Sequence, residues 1–126
     1  MKKLTKAEEE LMLILWRLKE ALIRDIIAEL ENSETPYTTV STIIRILEKK
    51  GFVSHKAYGN THLYFPLVSK KEYSRTQIKD FVSNYFNGSF SGMATFFAKE
   101  SNLSIDELRE MMTELEKELQ QKQKNG

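Results

Sequence analysis

The chain contains no cysteine. That excludes disulfides, thiolate zinc sites and a cysteine nucleophile. No apolar run approaches the roughly 20 residues of a membrane span, so membrane insertion is not expected. The opening residues Met1-Lys2-Lys3-Leu4-Thr5 lack the apolar stretch of a secretory signal, which makes the cytoplasm the expected location. Glycines are few and none belongs to a phosphate-cradling loop. No serine or threonine sits in a nucleophile motif, and no carboxylate pair has a pocket-like context. Neither an enzyme nor a cofactor is expected. His55 and His62 are the only histidines, too few for a stable metal site of about four ligands.

What is present is an uneven distribution of charge. The net charge is only +1, but residues 1–35 carry six basic against eight acidic side chains. Residues 36–71 carry Arg45, Lys49, Lys50, Lys56, Lys70 and Lys71 against Glu48 alone, and residues 72–126 carry seven basic against nine acidic. A basic middle between acidic flanks is what a surface meeting a polyanion requires, although a solvated face can cluster charge by chance.

Hydrophobic periodicity divides the chain into helices and one hairpin. Thr5 and Glu8 have capping-box spacing, and Leu11, Ile14, Leu15 and Leu18 repeat on one face of a first helix running to about Lys19. Trp16 lies off that stripe, as a packing residue of a second face. A second helix spans about 22–31. Pro36 introduces a third, from Tyr37 to Lys50, that ends at Gly51. Two β-prone runs, 52–58 and 61–67, flank Gly59-Asn60 and predict a hairpin. Alternation places Leu63, Phe65 and Leu67 inward, with His62 and Tyr64 on the other face. Both histidines can share a face. Pro66 restricts its strand to an edge. Ser69 with Glu72 opens a helix over about 70–86 that stops at Asn87-Gly88. A shorter helix runs from Ser89 to about Glu100. Ser104 with Glu107 opens a last helix, whose apolar stripe gives way to a Gln/Lys end expected to be disordered. The fold class is mostly α with a small β-hairpin: a winged helix-turn-helix domain over 1–68 and a C-terminal helical domain over 69–126.

The third helix carries the chemistry. One side shows the apolar Val40, Ile43, Ile44 and Leu47. The other shows Thr38, Thr39, Ser41, Thr42 and Arg45, although β-branched threonines are weak helix formers. In helix-turn-helix proteins this helix enters the major groove. Short hydroxyls allow close approach, donate or accept, and offer methyls to thymine. Arg45 suits a guanine edge or a phosphate, while Lys49 and Lys50 at the far end suit phosphates. At the hairpin, Lys56, Tyr58, Asn60 and the neighbouring Thr61 can reach the backbone or minor groove. Some of the hydroxyls can instead cap or pack, and the hairpin tip can be a plain exposed turn.

The tail concentrates Phe81, Tyr85, Phe86, Phe90, Phe96 and Phe97, followed by Leu108, Met111, Met112 and Leu115. Three short helices do not shield this much apolar surface, so a homodimer interface is expected. Two alternatives stay open: a winged helix that grips a partner protein, and a DNA-binding activator.

The run Tyr37-Thr38-Thr39-Val40-Ser41-Thr42-Ile43-Ile44-Arg45-Ile46-Leu47-Glu48-Lys49-Lys50-Gly51-Phe52 resembles the third helix and hairpin start of the penicillinase-repressor family, the BlaI/MecI/CopY type of winged-helix transcriptional repressors. Trp16, Lys50-Gly51-Phe52-Val53, Gly88-Ser89-Phe90 and Leu103-Ser104-Ile105-Asp106-Glu107-Leu108 extend the likeness over nearly the whole chain. The resemblance implies a cytoplasmic homodimer that represses genes by binding inverted-repeat operators. In β-lactam-responsive members a signalling protease triggers cleavage of the tail between an Asn and a Phe. The corresponding bond here joins Phe96 and Phe97, which keeps the Phe and lacks the Asn. The copper-responsive branch senses metal through C-terminal cysteines, and the absence of cysteine excludes that mode.

Overall fold

The computed structural model describes residues 1–125. Its elements follow in the order α1 (Lys6–Leu18), α2 (Ile23–Glu29), α3 (Tyr37–Lys49), β1 (Val53–Tyr58), β2 (Thr61–Pro66), α4 (Lys70–Phe86), α5 (Phe90–Glu100) and α6 (Ile105–Asn125). Three helices followed by an antiparallel hairpin make a winged helix. The chain forms two compact units, Met1–Asp80 and the residues from Phe81 on. Their boundary lies inside α4, not at 68/69 where the change from hairpin to tail suggested a domain limit. The first turns of α4 belong with the winged helix because Tyr73 is buried in its core and its hydroxyl accepts a hydrogen bond from the Leu4 amide at 3.0 Å.

The core of the first unit is built from the stripes that sequence periodicity marks. Leu11, Met12, Ile14 and Leu15 of α1 meet Ile23 and Ile26 of α2, Val40, Ile44 and Leu47 of α3, and Phe52 and Val53 at the wing's start. Burial of each such side chain contributes about 1.5–3 kcal/mol. Thr5 caps α1 reciprocally with Glu8. Trp16 packs against Tyr73 with ring centroids 5.9 Å apart, and its indole N–H donates to the Val68 carbonyl at 2.8 Å. The off-stripe tryptophan thus holds the exit of the wing against α1.

The hairpin has the expected register around Gly59-Asn60, with Tyr58 opposite Thr61 and Val53 opposite Pro66. Gly59 has φ 63, the left-handed conformation its two-residue loop needs at that point. The inward face is reversed from expectation. Tyr64 is buried with Val53, whereas Leu67 is exposed and Leu63 and Phe65 are only half-buried. The cause is a single backbone bridge outside the hairpin, which alternation alone does not reveal. Ala21 exchanges backbone hydrogen bonds with Tyr64 at 2.8 and 2.9 Å, so β2 is anchored to the α1–α2 link and turns Tyr64 toward the core.

In the second unit, Asn87 and Gly88 adopt positive φ and end α4, Ser89 caps α5, and Ser104 accepts from the Glu107 amide at the start of α6. The Gln/Lys end expected to be disordered is instead helical through Asn125. Its Lys and Gln residues are good helix formers and continue the amphipathic helix begun at Ile105.

Candidate nucleic-acid interface

The buried stripe of α3 fixes which side faces out. With Val40, Ile44 and Leu47 against the core, Thr38, Thr39, Thr42, Arg45 and Lys49 all lie exposed. The Thr42 hydroxyl donates to the Thr38 carbonyl at 2.8 Å and keeps acceptor capacity. Ser41 is buried and lines the cleft between α3, the start of α2 and the wing. No side chain caps the start of α3. Its first N–H groups therefore remain available to an anion, with the positive end of the helix dipole behind them.

This cleft is the geometric centre of the candidate surface. It has a volume of about 380 Å³ and brings together Arg24 from α2, Tyr37, Ser41 and Arg45 from α3, and Asn60, Thr61 and His62 from the wing. Neither Arg24 nor Arg45 has a carboxylate within ion-pair distance among the described residues. Two guanidiniums without a carboxylate partner in one cleft give it a cationic character, chemistry that suits an anion. Arg24 and Tyr37 were missed by sequence reasoning. The signal for Arg24 was its place in the first turn of a short helix, where a base is unfavourable for the helix itself.

The wing is docked on α3 through its histidine face. His55 Nδ1 lies 2.5 Å from Glu48 Oε2, and the His55 and His62 rings stack at 4.2 Å, nearly parallel. Tyr64 lies beneath them, 5.5 Å from His55. Burial pushes the Tyr64 phenol above its ordinary pKa, and the nearby Glu48 carboxylate adds to the shift. The phenol therefore stays neutral and packs as an apolar ring. The same-face expectation for the two histidines holds. Their parallel stack does not converge ring nitrogens on a point, and no group of three or more metal-ligating side chains occurs among the described residues.

The basic residues divide into free and committed. Lys49 is exposed, whereas Lys50 is engaged within the chain. Its ammonium bonds both carboxylate oxygens of the buried Glu8, at 2.7 and 2.8 Å. Tyr58 and Asn60 stand exposed at the tip. Lys56 lies on the opposite face of the hairpin from the histidines, its ammonium 5.6 Å from the centre of the Phe65 ring.

The tail carries a second exposed surface. Ile105, Leu108, Met112, Leu115 and Leu119 are all exposed along α6. Their spacing of three and four residues is that of a helix-packing seam. Phe81, Tyr85, Phe90, Phe96 and Phe97 are likewise exposed, and Phe86 is half-buried against Phe81 and Phe96. Met111 is exposed beside Met112. No helix among the described residues is long and apolar enough to cross a membrane.

The chain is similar to several known proteins. The methicillin resistance regulatory protein MecI of Staphylococcus aureus is 30% identical over 115 residues, covering 90% of this chain and 94% of MecI. The penicillinase repressor of Bacillus licheniformis is 28% identical over 112 residues, covering 87% of each chain. The solution structure of the DNA-binding domain of the repressor BlaI matches with 30% identity and a TM-score of 0.49, covering 58% of this chain and 94% of that one. The penicillinase repressor family matches residues 4–117. The chain belongs to the penicillinase repressor family.

Proposed function

We propose that the chain is a cytoplasmic transcriptional repressor that binds an inverted-repeat operator as a homodimer. The winged helix holds the DNA and the tail holds two copies together. The observation that carries this reading is the α3 surface itself: Thr38, Thr39, Thr42, Arg45 and Lys49 exposed, beside an uncapped helix start and two arginines with no carboxylate partner among the described residues. In this arrangement α3 lies in the major groove. Its hydroxyls and Arg45 read base edges, while Arg24, Lys49 and the wing tip hold phosphates.

The dimer half rests on apolar surface that one copy leaves uncovered. Along α6 the seam has no partner among the described residues, and every residue of the helix that is described is exposed. A two-fold axis through such a seam sets two recognition helices toward two half-sites. Release by a signalling protease at Phe96–Phe97 belongs to the same reading. Both side chains are exposed in the middle of α5, and local unwinding of that helix is needed before a protease can take the bond.

The test is fluorescence anisotropy with a labelled random duplex and with the DNA flanking the protein's own gene, each at low and high salt. The expected result is salt-sensitive binding to both and tighter binding to an inverted repeat. Absence of any duplex binding at low salt would overturn the reading in favour of a partner protein on α3.

A further inference from the structure

The first unit carries a second concavity that shares only Lys56 with the residues assigned to DNA. It is a groove of about 1040 Å³ between α1, the end of β2 and the first turn of α4. Its floor is apolar: Leu13 and Trp16 from α1, Phe65 from β2, and Leu67 just beyond it. Because the Trp16 N–H is already bonded to the Val68 carbonyl, the indole offers the groove only ring surface. Lys19, Lys56 and Lys70 stand at the rim, and none has a carboxylate within ion-pair distance among the described residues. Arg17, Glu20 and Glu72 also line the groove; Arg17 is paired with Glu29, and Glu72 accepts from the Ser69 hydroxyl in the cap of α4, so cations outnumber carboxylates among the lining residues. Lys19 ends α1 at φ 74, a conformation that favours glycine, so backbone ease does not explain a lysine there.

We infer that this groove is a binding site for an amphipathic organic carboxylate, its apolar body laid on Trp16, Phe65 and Leu67 and its carboxylate met by Lys56 and Lys70. Small-molecule sites are mostly apolar concavities with a few charged groups that fix orientation, and this groove has that composition. The excess of ammonium groups at the rim selects an anion. The aromatic and aliphatic floor rejects a fully polar one, such as free phosphate. Three of the lining residues, Lys56, Phe65 and Pro66, belong to the wing, so an occupant touches the element that borders the DNA surface.

Trp16 is the only tryptophan, which makes its emission a local reporter. The full chain is titrated without DNA, using octanoate and, separately, octanamide, which has the same body and no charge. The expected result is a saturable change in Trp16 emission with octanoate and about fivefold weaker binding of octanamide. The double variant Lys56→Gln/Lys70→Gln, altered at two exposed positions, is expected to weaken octanoate by a similar factor and leave octanamide unchanged. Lys122→Gln/Lys124→Gln, in the tail, is expected to change neither. Thermal melting confirms that each variant is folded. No saturable change, equal binding of acid and amide, or indifference to the Lys56/Lys70 pair would overturn the proposal. Since no DNA is present, such a failure leaves the repressor reading standing.

Discussion

Lys50 at the end of α3 closes on Glu8 in the first turn of α1, its ammonium within 2.8 Å of both carboxylate oxygens. Glu8 is buried and also completes the cap of its own helix by accepting from the Thr5 amide at 2.8 Å. One carboxylate therefore starts α1 and fixes the far end of α3. Burial by itself would raise the Glu8 pKa. The Lys50 bonds and the Thr5 bonds outweigh it and hold the carboxyl below its ordinary value.

A pKa lower in the folded state than in the unfolded one means that the ionised form favours folding. The stabilisation is complete above the unfolded value near 4.5 and is lost as pH falls through the lower folded value. Glu8→Gln is expected to cost about 1.5–3 kcal/mol at pH 7, the range for a hydrogen bond to a charged group. Urea denaturation at pH 7 and at acid pH checks this. The deficit of the variant relative to the parent should shrink as the medium drops well below pH 4.5. A deficit that persists undiminished in acid would mean the carboxylate charge is not the source.

Arg24 and Arg45 share one cleft but are expected to fail differently. Arg45 lies along the exposed face of α3, where a guanidinium can reach a base edge. Arg45→Ala should weaken operator binding by about 1–3 kcal/mol and relax preference at one base position. Arg24 sits in the first turn of α2, suited to a phosphate. Arg24→Gln should weaken operator and random duplex alike, and the slope of log affinity against log salt should fall by about one. Anisotropy titrations over a salt series separate the two. Unchanged affinity for either variant would remove that residue from the interface.

Much of this fold is legible in the order of residues, and the misses have identifiable causes. The stripes of α1 and α3, the caps at Thr5, Ser69 and Ser104 and the Gly59-Asn60 turn are local signals, so the helices and the hairpin follow from them. The inward face of β2 does not, because it depends on Ala21, more than forty residues earlier, pairing with Tyr64. Lys50 reads as a phosphate ligand by charge alone. Its partner Glu8 is 42 residues away and announces itself only as a helix cap. Arg24 was hidden for the same reason: its role depends on a cleft made from three elements. The row of threonines was legible because exposed helix positions rarely favour them.

The wing's position depends on the Glu48–His55 contact and on the stacked His62 ring. Glu48 and His55 are about one-third exposed and His62 is exposed, so their loss should disturb the wing more than the fold. His55→Ala is expected to reduce DNA affinity by about three- to tenfold, corresponding to the loss of one or two modest hydrogen bonds. Its melting temperature should drop by only a few degrees. Paired calorimetry and anisotropy measurements check the separation. Equal, large losses in both would show that the histidine face is a part of the core.

The tail predicts a link between assembly and DNA affinity. Leu115 lies in the exposed seam of α6 with 57% of its surface accessible, so a charge there has little to disturb within one copy. In a dimer joined by that seam the same charge is buried without a partner, at a cost of several kcal/mol. Leu115→Glu is therefore expected to leave the winged helix folded and to sediment as a monomer at concentrations where the parent chain is a dimer. Loss of the second half-site contact should then lower affinity for an inverted repeat by orders of magnitude, while binding to a single half-site stays the same. Sedimentation velocity together with titration of full and half operators reads both effects. A Leu115→Glu chain that remains dimeric would move the interface off α6 and onto the Phe81, Tyr85 and Phe90 surface.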